Sequence, residues 1–272
     1  MALKATVQIA VGCRDGKSFL QKSLCLSPYK IADVTEDRRR NELRLLLMSS
    51  SPGMLDGDET NLEIDIAANS SLRLETQSFQ RIFQMKKGAS QKMNIIMEEG
   101  SSFSYLPHPV VPHTDSIFTS RSKIYLSAGC KLSWGEVISC GRKLNNEVFQ
   151  FTSYHNITEI FLNNTLVVKE NLLLRPSERR LDGIGQLEGF THQATFLYLD
   201  EKVKVDLLIE KLRGSLSTEK EISFGVSMLP VNGIIVRILG HKAEQLFSIL
   251  KQIAQQIETE QSQSLLKTIA YV

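Results

Sequence analysis

Imidazole, thiol and carboxylate groups are the side chains that could hold a metal or move a proton. The chain has five histidines, His108, His113, His155, His192 and His241. Only His108 and His113 are near each other, in Pro107-His108-Pro109-Val110-Val111-Pro112-His113, whose prolines make it an extended edge or loop. Five extended residues set the two rings about 17 Å apart on opposite faces, so joint chelation would need a tight turn. Cys13, Cys25, Cys130 and Cys140 form no Cys-x-x-Cys pair and read as small buried apolar residues. Asp56-Gly57-Asp58-Glu59 is a fragment of a calcium loop without its remaining ligand positions, so a turn is expected there. No tight metal site is expected.

Two charged residues sit oddly. Glu136 shares strand parity with Trp134, Ile138 and Cys140. A carboxylate on an apolar face must find partners or line a wet cavity, unless it lies at an edge in solvent. Arg237 interrupts Ile234-Ile235-Val236-Arg237-Ile238-Leu239, which asks for a buried salt bridge or a snorkelling edge arginine.

Enzyme signatures are missing. There is no G-x-x-x-x-G-K-[ST], no H-E-x-x-H and no G-x-S-x-G, and Gly183-Ile184-Gly185 lacks the third glycine of a dinucleotide loop. The chain has 272 residues and a net charge of +2, from 32 basic and 30 acidic side chains. That balance gives no electrostatic case for nucleic acid or an anionic membrane as partner. Few cysteines imply a reducing compartment. Ala10-Val11-Gly12-Cys13 faintly resembles a lipoprotein cleavage box, but Lys4, Thr6 and Gln8 interrupt any apolar stretch before it. No apolar run approaches the roughly 20 residues of a membrane span. A cytoplasmic protein is expected.

The elements that must position these groups are mostly strands. Leu3, Ala5, Val7, Ile9 and Val11 alternate with polar residues, as do Leu62, Ile64 and Ile66, and Leu72 and Leu74. Phe103 and Tyr105 sit in a similar short run, as do Ile124 and Leu126. Further strands are expected over 43–48, 93–97, 131–139, 147–154, 159–162, 165–169, 194–199, 204–208, 221–228 and 234–239. Asp15-Gly16, Asp56-Gly57, Asn69-Ser70, Glu99-Gly100, Ala128-Gly129, Asn163-Asn164 and Asn232-Gly233 supply turns, and the last is the best hairpin signal. This pattern alone argues for an antiparallel all-β architecture. No fixed-period repeat and no linker are visible, so one elongated domain over 1–272 is expected. An amphipathic helix is expected over 242–261, where Ala243, Leu246, Phe247, Leu250, Ile253 and Ile257 recur at helical spacing, and a shorter one near 206–216.

Several strings carry a resemblance. They are Ser51-Pro52-Gly53-Met54-Leu55-Asp56-Gly57-Asp58, Thr76-Gln77-Ser78-Phe79, Tyr105-Leu106-Pro107-His108-Pro109 and Cys140-Gly141-Arg142 with Glu147 beyond it. In order and spacing the chain resembles the urease accessory protein UreD/UreH family from its first strand to its last helix. Asn146 stands where many members have glycine, and asparagine is the next best residue for a left-handed turn.

The resemblance implies a non-enzymatic maturation factor. It would be a many-stranded β assembly with about two helices, one of them C-terminal. Joined to the strand pattern, the expected fold is mainly β, antiparallel or mixed, as stacked sheets or β-helix-like. The implied partners are urease apoprotein, the helical adaptor UreF and the GTPase UreG. The implied cargo is nickel in transit, with no tightly bound cofactor. A hydrated path lined by Asp58, Glu75, Glu136 and Glu147, with Thr76 and Gln77 as neutral liners, is the expected route. Loose oxygen contacts suit transit better than storage. Leu246, Phe247, Leu250 and Ile253 would either pack on their own sheet or dock on the helical partner. The alternative is a β platform that remodels apo-urease without conducting nickel. A hydrolase on a β scaffold would need a nucleophile, base and orienting group that the chain does not display.

Overall fold

The computed structural model describes the backbone of residues 2–269 and the side chains of residues 2–260. Strands β1 (Lys4–Arg14), β2 (Lys17–Cys25), β3 (Tyr29–Asp33), β4 (Leu43–Ser49), β5 (Glu59–Ile66) and β6 (Ser71–Thr76) come first. Then follow β7 (Gln80–Ile82), β8 (Ala89–Met97), β9 (Ser102–Tyr105), β10 (Val110–Pro112), β11 (Ile117–Leu126) and β12 (Lys131–Ile138). After a 3-10 turn over Lys143–Asn145 come β13 (Ser153–Leu162), β14 (Thr165–Leu174), β15 (His192–Asp200), helix α1 (Val205–Leu216), β16 (Ser223–Met228), β17 (Gly233–Gly240) and helix α2 (Ala243–Ile269).

The strands form two sheets. The first runs β14-β13-β11-β8-β5-β1-β2 and the second β16-β17-β15-β12-β9-β6-β4-β3, with β7 and β10 joined beside β12. The middle of each sheet is parallel: β1, β5, β8, β11 and β13 in one, and β4, β6, β9 and β12 in the other. The expectation of antiparallel pairing alone is therefore corrected to a mixed assembly. Period-2 alternation assigns faces, and it is the same for both pairing directions.

The chain winds as a coil, passing from β5 to β6, from β8 to β9 and from β11 to β12, each turn resting on the last. Its corners stack. Asn69, Gly100 and Gly129 all have positive φ, the Asn69 N–H donates to Glu99 O, and the Gly100 N–H to Ala128 O, both at 3.0 Å. Only Gly or Asn takes that conformation cheaply. A repeat of about thirty residues is thus present after all, but just the corner and a few apolar positions recur, and the turns differ in length. Inside, Ile64, Ile95, Ile124 and Ile160 stand side by side on four strands, all fully buried. Leu72, Phe103 and Leu132, then Leu74, Tyr105 and Trp134, face them from the second sheet.

Both helices pack on the other side of the second sheet, against Phe196, Ile234, Val236 and Ile238. Leu246, Leu250 and Ile253 are at most 2% exposed there. These three side chains cover their own sheet, so the expectation that they are offered to a partner gives way to home packing. Phe247 stays half-buried, its ring 4.7 Å from that of His108. Two strand expectations also fail. Residues 204–208 open α1, and 147–152 are a loop whose lead-in turns at Asn146, φ 61°. Asn232-Gly233 does join β16 to β17, but through a longer loop. Asn232 donates its amide to Asp200 O, Glu201 O and Val203 O, and a Cβ on Gly233 would lie 2.3 Å from Tyr198 O.

Candidate functional site

The inner face of the first sheet changes character along its strands. Next to the isoleucine row stands Leu62, Met93, Ser122 and Thr158, and beyond it Thr60, Gln91, Ser120 and Asn156. Ser120, Ser122, Asn156, Thr158 and Thr60 are all buried. Buried hydroxyls and amides need partners, and Thr60, Gln91, Asn156 and Thr158 find theirs on the facing sheet. Tyr29 Oη lies 3.2 Å from Thr60 Oγ1, and Gln80 Nε2 donates to Gln91 Oε1 at 3.1 Å. A polar seam thus crosses the interior between the two sheets.

Glu136 stands at one end of the seam, one step beyond Trp134 on β12. Its carboxylate accepts from Trp134 Nε1 at 2.8 Å, from Thr158 Oγ1 at 3.0 Å and from Asn156 Nδ2. All three donors are neutral, and no ion pair reaches Glu136 among the described residues. Burial pushes its pKa above the usual carboxylate range, against the pull of those hydrogen bonds, and the charge of Glu170 adds to the rise.

Two cavities follow the seam. One is lined by Gln91, Ser120, Ser122, Glu136, Asn156 and Thr195 among others. The second is lined by Tyr29, Ser49, Ser51, Gly53, Thr76 and Gln77 among others. They share Gln80, Gln91, Tyr105, Pro107 and His108 as walls. Thr76 Oγ1 accepts the His108 N–H at 2.8 Å and lies 3.2 Å from its Nδ1. The threonine's own proton is then free to point at Nδ1, which leaves the ring proton on Nε2. Burial holds the His108 pKa below the ordinary histidine value. Arg237 pairs with both carboxylate oxygens of Glu170 at 2.8 Å, tying β17 to β14. Neither expected form is realised, since the pair is half exposed and β17 lies between β16 and β15 rather than at an edge.

Of the six expected path residues, the structure brings Glu136, Thr76 and Gln77 to these cavities. The other three lie elsewhere. Asp58 is buried and locks a turn, accepting from Leu3 N and Leu55 N at 2.9 Å each. Glu75 pairs with Arg44 at 3.2 Å, in a groove under α2. Glu147 pairs with Arg142, whose hydrogen bonds hold its carboxyl below the usual range. Sequence reasoning missed Thr60, Gln91, Ser120, Ser122, Asn156 and Thr158. A signal existed, since Ser120 and Ser122 share strand parity with Phe118 and Ile124, which are buried.

Among the described residues no three His, Cys, Asp or Glu side chains are grouped so as to hold a metal ion. His192 is buried, and desolvation brings its pKa down to about 4. Among the described residues no helix is long and apolar enough to cross a membrane.

The sequence model of the family described as UreD urease accessory protein matches residues 3–269. The chain is 44% identical to the urease accessory protein UreD of Flavobacterium johnsoniae over 252 residues, 92% of this chain and 91% of that protein. It is 35% identical to the UreD of Acetivibrio thermocellus over 240 residues, 88% of this chain and 91% of that protein. With the UreD of Actinobacillus pleuropneumoniae the identity is 32% over 252 residues, 90% of this chain and 93% of that protein. The coiled β architecture with its polar interior is therefore that of a member of the UreD urease accessory protein family, to which this chain belongs.

Proposed function

We propose that this chain is a non-catalytic urease maturation scaffold. It binds urease apoprotein and acts with the helical adaptor UreF and the GTPase UreG in GTP-dependent nickel insertion, and nickel in transit crosses its interior. The observation that carries the reading is the seam itself, a row of neutral oxygen and amide groups with one carboxylate, Glu136, that has no cationic partner among the described residues. Imidazole and thiolate clusters would retain nickel, whereas carboxylate, carbonyl and hydroxyl oxygens hold it weakly. Passage through a chain of sites requires each one to release its ion. Glu136, Thr76 and Gln77 line the route, with Gln91, Ser120, Ser122 and Asn156. Asp58, Glu75 and Glu147 keep their turn and ion-pair duties beside it.

The engagement of those three acids in local structure favours a second reading. In it the protein is a platform that reshapes apo-urease while nickel enters from solvent. Both readings are tested by purifying the chain with urease apoprotein, UreF and UreG and measuring nickel- and GTP-dependent activation. Co-purification with activation is expected. Absence of any complex contradicts both.

A further inference from the structure

The outer face of the first sheet is uncovered among the described residues, because both helices pack on the second. Largely parallel sheets are normally covered on both faces. This one carries a ridge of Ile96, Tyr125, Phe161 and Leu166 in register on β8, β11, β13 and β14. Ile96 and Leu166 are each 45% exposed. The rings of Tyr125 and Phe161 stack at 4.8 Å and 14°. Exposed apolar side chains scattered singly are ordinary, but a contiguous ridge rimmed by charge marks a contact surface.

Cations flank the ridge. Lys123 is two residues before Tyr125 on the same face, Arg121 two before that, and Lys92 sits beside Arg121 on β8. None of the three makes an ion pair among the described residues. Glu159, beside Lys123, is taken by Lys169 at 3.0 Å, and Arg121 and Lys123 add to the field that holds its carboxyl below the usual range. On the β5 side, Glu63 accepts from Gln8 at 2.7 Å. The face is thus apolar along one row from Ile96 to Leu166, with Asp65 beyond Ile96 on β5, balanced in charge along the next, and positive along the one after, where Lys92 and Arg121 stand side by side next to Lys123.

We infer that this face docks a folded protein partner that presents carboxylates beside an apolar edge. Charge complementarity selects an acidic surface, and the ridge supplies the desolvated centre that an interface needs. Taking urease apoprotein as the probe rests on the function proposed above.

The test measures binding of purified urease apoprotein to the wild-type chain, to a K92E/R121E/K123E variant and to an I96S/L166S variant. All five positions are on the surface, so circular dichroism and urea midpoints close to wild type are expected. The charge reversal should weaken binding at least about tenfold and flatten its salt dependence, and the serine variant should weaken it several-fold. Wild-type affinity in both variants overturns the inference and leaves the proposed function standing. Failure of the wild type to bind contradicts both. Self-association of the wild type that R121E abolishes assigns the face to a second copy and overturns the inference, as does wild-type capture of single-stranded DNA that the charge reversal removes.

Discussion

The indole Nε1 of Trp134 donates a 2.8 Å hydrogen bond to Oε1 of Glu136, its neighbour two residues along the same face of β12. Trp134 is the chain's single tryptophan, so its fluorescence comes from this site alone and senses that carboxylate directly. Its emission should titrate with a midpoint above the ordinary carboxylate value, since burial raises the Glu136 pKa. In Glu136→Gln that transition should vanish. An unchanged transition in the variant contradicts the assignment.

The same shift has a consequence for stability. A carboxyl whose folded-state pKa lies above its unfolded value binds its proton more tightly when folded. Its contribution favours the fold below the unfolded pKa and is lost as pH rises through the folded one. Glu170 on β14 adds its charge to the rise, and burial together with the Glu136 charge pushes the hydroxyls of Tyr105 and Tyr154 to higher pKa. Urea midpoints measured from pH 4 upward should fall more steeply in wild type than in Glu136→Gln. Parallel curves contradict it.

His108 offers an independent probe of the shared wall between the cavities. With Thr76 Oγ1 accepting from its backbone and facing Nδ1, its ring should be neutral at pH 7 and protonated on Nε2. Nitrogen-15 NMR of the imidazole reads this directly. Thr76→Val removes the hydroxyl and should shift the tautomer balance toward Nδ1–H while leaving the fold intact. A ring carrying its proton on Nδ1 in the wild type contradicts the assignment.

Three substitutions separate the core, a close backbone approach and the surface. Ile95→Ala empties a fully buried place in the isoleucine row and should cost about 2–5 kcal/mol in urea unfolding. Gly233→Ala forces a methyl against Tyr198 O and should cost about 1–3 kcal/mol by overpacking. Leu144→Ala, on a side chain 99% exposed, should move stability by less than about 0.5 kcal/mol. Equal costs at the three sites contradict the packing described.

Much of the fold was legible in the residues. The apolar alternation of β1, β5 and β15 marked strands, and Asp15-Gly16 and Asn163-Asn164 marked hairpins that the structure forms. Strands β2 and β3 were not legible, because an edge strand exposed along most of its length, such as Lys17–Cys25, shows no alternation. Parallel stacking was hidden as well, since period 2 is silent about pairing direction. Of the seam, only Glu136 stood out, because a charge on an apolar face is conspicuous. Ser120, Ser122 and Asn156 lay outside the expected strands, and only the register of β8, β11 and β13 placed them in rows. Asp58 and Glu147 look equally acidic in the chain. Only the backbone N–H groups folded around Asp58 and the guanidinium beside Glu147 show that both are already engaged.

The central claim is that nickel crosses the seam past Glu136. The most direct measurement is the nickel content and activity of urease matured with the Glu136→Leu variant, alongside a pull-down of the accessory complex. Leucine removes the carboxylate and fills its cavity, so urease should emerge without nickel and inactive while the complex still assembles. Full nickel loading by a Glu136→Leu protein that folds and binds normally would contradict the account.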